Sequence, residues 1–183
     1  MTPVLTSTAL ALHDLGLAAG FGGSLFGRLA LNPSVKEISS KEERGRVVNA
    51  AWNGYNIING LALGTTALTW LIGRSALSGR EFGRDVRRWV IAKDIFLGST
   101  LVTGLYGMIS GRYLAGQESL PVEAGAQPAP ETPSAPAQVQ KSLNVIGILN
   151  LISAAGVIAT TAVLNNKAAS SRRWRFLSRN ILP

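Results

Sequence analysis

Residues 47 to 72, VVNAAWNGYNIINGLALGTTALTWLI, carry no formal charge and are long enough to cross the hydrocarbon core of a bilayer as a helix. At about 100° per residue, Asn49, Asn53, Asn56, Gly60 and Ala67 fall in one narrow sector, while Val47, Ala51, Ile58, Leu61, Thr65 and Ile72 lie mostly opposite. Lipid offers a carboxamide no hydrogen-bond partner. The small, polar face is therefore expected to turn toward other helices, where amides bond across and glycine lets backbones approach.

Three further apolar blocks, about residues 4–30, 89–110 and 143–164, are also long enough to span. For a chain of 183 residues, 46% hydrophobic and 15% charged is lopsided for a soluble domain, and the apolar residues are gathered rather than spread. The fold expected is a single all-α membrane domain over 1–183, an integral four-helix bundle with four transmembrane helices. The absence of cysteine excludes disulfides, thiol catalysis and thiolate metal sites, and one histidine cannot build a multi-His metal centre. A net charge of +8 would suit nucleic acid, but the basic residues cluster beside the apolar blocks, which points to lipid headgroups instead.

The first block lacks the basic start of a secretory signal and outruns a typical signal core, so it reads as a retained span. Thr2 and Pro3 suit an N-cap and first helical position. Gly16, Gly20, Gly23 and Gly27 share one face of that helix with two GxxxG spacings, a pattern that permits close helix contact. Asn32-Pro33 reads as the helix end, and Ser39-Ser40 ahead of Glu42 and Glu43 as a capping arrangement for the next. In the third block Lys93, Thr100, Gly104, Gly107 and Gly111 fall on one side, and in the fourth Gly147, Asn150, Ala154 and Thr161 do.

Between these last two blocks the composition changes. Residues 115–140 hold five of the eight prolines and no aromatic residue, which reads as a Pro/Ala-rich linker, extended or disordered, too polar to pack a core and dispensable for folding. The tail, 166–183, interleaves Arg172, Arg173, Arg175 and Arg179 with Trp174 and Phe176, as an interfacial segment meeting lipid headgroups would. Ten basic residues flank the side shared by the 74–88 loop and the tail, against six on the other. That bias favours both termini in the cytoplasm and places Trp70, Trp89 and Trp174 at the cytoplasmic interface; the membrane expected is a bacterial inner (plasma) membrane.

Four ionisable residues lie inside the spans: His13 and Asp14, Lys93 and Asp94. Such residues are costly in lipid and usually face a partner or a wet cavity, so an intramembrane charge cluster, with Asp14 pairing Lys93, is one candidate site. The competing reading slides His13 and Asp14 to the headgroups and lets Lys93 snorkel past Trp89. A lone histidine beside glycines, His13, could also ligate a chlorin or haem through a neutral ring nitrogen. The third candidate is Asn49, Asn53, Asn56 and Asn150, which with Arg28 and Tyr55 could line a polar pocket, though interhelical bonding alone would explain the amides. No phosphate loop, carboxylate pair or Ser/His/Asp set appears, and no motif is specific enough to name a family.

The function expected is therefore that of a non-enzymatic, cofactor-free accessory or scaffolding subunit whose partners are lipids and other membrane proteins. A small transporter, channel or proton pathway using His13, Asp14, Lys93 and Asp94 is the alternative.

Overall fold

Four long helices make the architecture of the computed structural model: α1 (Pro3–Phe26), α2 (Lys41–Leu77), α3 (Arg84–Ala115) and α4 (Ser134–Asn180). The structure describes residues 3–77, 84–117 and 120–180, with side chains over 8–74, 85–117 and 120–168. The helices outrun the apolar blocks because their polar ends keep helical hydrogen bonding beyond the apolar stretch. At the start of α2, Ser40 Oγ accepts the Glu43 backbone N–H at 3.2 Å and its carbonyl accepts from Arg44 at 3.0 Å, so the expected cap forms. Asn32-Pro33 does not end the first helix. The chain continues through a π turn (Gly27–Leu31) and a further turn (Asn32–Ser34) that contains Pro33. The chain turns extended only at Ile38.

α1 packs chiefly on α2 and α3 on α4, and the two antiparallel pairs meet through α2 with α3 and α1 with α4. Toward the end where α1 begins and α4 ends, the terminal end, Leu17, Trp70, Val90, Leu97, Val157 and Leu164 form a buried cluster. Trp70, expected at the headgroups, is 6% exposed and belongs to this core. Its ring is drawn inward by partners on α3 that the sequence does not reveal.

The exterior is inverted relative to a water-soluble bundle. Leu15, Ile57, Leu61, Leu68, Ile95, Val102, Ile109, Val145 and Ile152 are exposed, while His13, Lys93, Thr66, Thr100, Gln140 and Thr160 are buried. Among the described residues two helical segments, Thr8–Glu37 and Ser134–Ala168, are long and apolar enough to cross a membrane, with mean hydropathy 1.3 and 1.9. The apolar blocks predict four. In α2 and α3 the asparagines and the Lys93-Asp94 pair dilute the apolar content, although both helices still present aliphatic outer faces.

Residues 115–140 depart most from the sequence expectation. α3 runs to Ala115 and α4 starts at Ser134, so the connection is shorter than the linker boundaries, and from residue 120 onward it is folded. Strand β1 (Val122–Ala124) pairs antiparallel with β2 (Gln127–Pro128) around Gly125, whose φ of 47° suits glycine. Leu120, Val122, Ala124 and Ala129 are buried. The segment has no core of its own but borrows one, laying these few apolar groups on α2 and the 32–38 turns, with Leu120 over Gly45 and Gly125 over Asn32. Polar ties hold it: Thr132 Oγ1 donates to Pro121 O at 2.6 Å and Arg44 Nη1 to Glu123 O at 3.2 Å. Lys41 bridges Glu123 at 2.7 Å and Glu131 at 3.3 Å.

Candidate functional site

Two polar centres occupy the bundle, one toward each end. In the terminal half, His13 and Lys93, each 3% exposed, meet with Nε2 and Nζ 2.9 Å apart. The other ring nitrogen, Nδ1, lies 2.9 Å from Thr69 Oγ1 and 3.2 Å from Thr66 O. A carbonyl can only accept, and the Thr69 hydroxyl proton is directed at Thr65 O, 2.6 Å away. Nδ1 must therefore carry the proton, which leaves Nε2 as the acceptor for Lys93. Lys93 Nζ also lies 4.1 Å from the centroid of the Trp70 ring, a cation–π contact. Trp70 Nε1 in turn donates to Asp94 Oδ1 at 2.8 Å, and Arg74 grips the same carboxylate through Nε and Nη2, each at 2.9 Å.

Of the four ionisable residues singled out from the sequence, the fold thus joins His13 to Lys93 directly and Asp94 to them through Trp70. The expected pairing of Asp14 with Lys93 does not form. Asp14 is exposed, about a residue's rotation off the buried side of α1, and Lys93 takes His13 in its place. Nor does Lys93 snorkel outward, because the Trp70 face and the His13 ring together satisfy its ammonium inside. A chlorin or haem on His13 would have to displace Lys93 or Thr69, since both ring nitrogens are engaged. Among the described residues no group of three or more His, Asp or Glu could hold a metal ion.

Toward the hairpin end the helix pairs separate around a cavity of about 160 Å³. Asn49, Asn53, Asn56 and Asn59 of α2, Asn144 and Asn150 of α4, and Asn32 line it together with Arg28, Tyr55, Trp52 and Gln140. The asparagines line up because residues three and four apart share a helix face. Arg28 reaches across from the end of α1, donating through Nη1 to Asn144 O at 3.1 Å and through Nη2 to Asn144 Oδ1 at 3.0 Å. Asn150 is used for packing as well: its amide donates to Thr100 O at 3.0 Å and Thr103 Oγ1 at 2.9 Å, tying α4 to α3. Val122, Gly125 and Ala126 of the hairpin complete the wall, and no Asp, Glu, Lys or His contributes to it among the described residues.

The glycines define where the helices touch. A Cβ at Gly16 would lie 2.6 Å from Thr66 Oγ1, and one at Gly27 2.5 Å from the Trp52 ring; Gly23 lies under Tyr55 and Gly20 3.6 Å from Ala62. Gly60 would meet Met108 at 3.2 Å and Gly104 Leu63 at 2.7 Å, whereas Gly107 borders the cavity with nothing within 4 Å. Arg172, Arg173, Arg175 and Arg179 lie outside the residues whose side chains are described. Sequence reasoning misses Trp70, Thr69 and Arg74 of the first centre and Asn32, Asn59, Asn144 and Gln140 of the second. The i, i+4 spacing of Gln140 and Asn144 is a usable signal, but composition assigns Gln140 to the linker.

No family model, curated protein or solved structure matches this chain.

Proposed function

We propose that the chain is a non-enzymatic integral membrane protein of four spans that serves as an accessory subunit packed against other membrane proteins. The inversion of polarity supports the membrane reading. Leaving a Leu or Ile side chain in water forgoes about 1.5–3 kcal/mol of burial, and exposed aliphatics on every helix leave that gain untaken many times over. In hydrocarbon the same surface carries no such penalty. The dilution of α2 and α3 by polar groups supports four spans rather than two, since their asparagines and Lys93 are turned to the interior or the cavity. With both termini cytoplasmic, as the basic bias favours, the hairpin faces outside. A reporter after Pro183 should read cytoplasmic and one inserted near Gln127 external; the reverse pattern overturns the topology.

One observation carries the accessory role: the outward faces are notched by Gly22, Gly54, Gly64 and Gly98, where an added Cβ would meet nothing within 4 Å. Small residues on a lipid-facing surface let a second helix approach closely. Gly54→Leu with Gly64→Leu should leave the solubilised protein as heat-stable as wild type but strip partners that copurify from native membranes in mild detergent. Partner recovery equal to wild type overturns the role.

A second reading, a small proton or solute pathway, is favoured by the His13–Lys93 contact, which strings polar groups from Thr69 to Arg74 at the terminal end. Liposomes containing the protein should then pass protons in a way that His13→Gln abolishes. Tight vesicles with folded wild-type protein would dismiss this pathway.

A further inference from the structure

The cavity at the hairpin end contains two groups that packing leaves incomplete. Gln140, 4% exposed, has a buried Oε1 without a hydrogen-bond partner, and it lines the cavity wall. A buried carbonyl oxygen left without a donor is costly, so something with an O–H or N–H belongs beside it. Arg28 is the sole charged side chain in the wall among the described residues, and the acceptors it has found, Asn144 O and Oδ1, are both neutral. A guanidinium presents five N–H donors in a fork suited to a carboxylate, and two of them serve Asn144. Gln140 precedes Asn144 by four residues on the same face of α4, a rise of about 6 Å, so its side chain neighbours the one that Arg28 grips.

We propose that this cavity binds a small monocarboxylate bearing a hydroxyl or amide donor close to its carboxylate. The carboxylate meets Arg28, and the neighbouring donor satisfies Gln140 Oε1. Size limits the molecule: a cavity of about 150 Å³ admits a ligand of benzene size, about six heavy atoms, and this one is about 160 Å³. Charge limits it further. One cation and no acid in the wall balance a monoanion; a zwitterion would leave its ammonium without a carboxylate partner. The asparagine amides, able to donate and accept, serve the remaining polar atoms of such a molecule.

The test uses the full-length protein in lipid nanodiscs and calorimetric titration with three probes of matched size: lactate, propionate (no hydroxyl) and lactamide (no charge). Lactate should bind more tightly than propionate by about fivefold to tenfold, the worth of one hydrogen bond to a buried acceptor, and lactamide should be weaker than either. Gln140→Leu should erase the preference for lactate while leaving propionate unchanged. Asn53→Asp, at an exposed position of the rim, sets a negative charge in the wall and should weaken both carboxylates by about tenfold or more without disturbing the fold. The proposal is overturned if no carboxylate binds and the cavity holds water only, if lactamide binds as well as lactate, or if both variants titrate like wild type.

Discussion

Gly156 and Gly107 sit in opposite circumstances. An added Cβ at Gly156 would lie 2.5 Å from the Phe96 ring in the core of the terminal half, whereas one at Gly107 would meet nothing within 4 Å at the cavity. The terminal half pairs its buried polar groups with one another and fills the rest with apolar side chains. The hairpin half leaves amides around a space. In a bundle whose helices all present aliphatic outer faces, hydrophobic patterning alone does not separate these ends; what separates them is whether each polar side chain found a protein partner.

The largest expected effect breaks that contrast directly. Gly156→Leu should destabilise the detergent-solubilised protein by about 3 kcal/mol, near the top of the usual range for overpacking. Gly107→Leu should change stability by less than about 1 kcal/mol, since the new side chain has space to enter. Paired thermal unfolding of the two variants decides it. Equal losses would mean that the hairpin half is as tightly packed as the terminal half.

Next comes the roof of the cavity. Leu120→Ala should cost about 2 kcal/mol, the low end for a buried leucine, because the docked segment can partly collapse. A loss near zero would return residues 115–140 to the dispensable linker that their composition suggests. Composition misleads here for a physical reason. Disorder follows when a segment cannot bury enough apolar area, but that rule counts only what the segment carries, and Leu120 and Val122 bury themselves against α2 and the 32–38 turns. A single sequence does not show that loan.

The helices and their faces are more legible. Period alone puts Asn49, Asn53 and Asn56 together, and Gly16, Gly20, Gly23 and Gly27 against a neighbour, because a rigid helix converts spacing into direction. Which neighbour is not legible, since pairing depends on side chains far apart in sequence. Lys93 stands out in the sequence as costly in lipid, yet the partner expected for it, Asp14, is one residue from the actual one. About 100° of rotation separates these adjacent positions on a helix, and the sequence does not fix that rotation against α3.

A smaller effect tests whether an amide at the cavity wall is bound or waiting. Asn150→Leu should cost about 1 kcal/mol, roughly two interhelical bonds at the membrane average of about 0.6 each, because the bonds from its amide to Thr100 O and Thr103 Oγ1 are lost. Asn53→Leu, at an exposed position, should cost less than half of that. Equal losses would show that Asn53 is tied into the packing no less than Asn150.

The smallest effect concerns how the hairpin is latched. The hydrogen bond from Lys41, with the charges of Arg44 and Lys36 behind it, holds the Glu123 carboxyl below its ordinary value of 4.5. A carboxylate whose folded pKa is depressed adds stability above the unfolded value, and that stability is lost as pH falls through the folded one. Lys41, raised by the same bond, adds stability below its ordinary 10.5 and loses it as pH rises through the raised value. Both groups are at the surface, so the contribution is small and falls further with added salt. The comparison is wild type with Glu123→Gln, both read as unfolding midpoints from about pH 7 down to about pH 3. The difference should be present at pH 7, persist at pH 5, and close below about 4.5 as Glu123 takes its proton. Lys41 can turn to Glu131 in the variant, which limits the gap at neutral pH without moving the pH at which it closes. A gap that stays constant throughout the acid range would mean that shape alone seats the hairpin on α2, and that its ion pairs contribute nothing to closing the cavity.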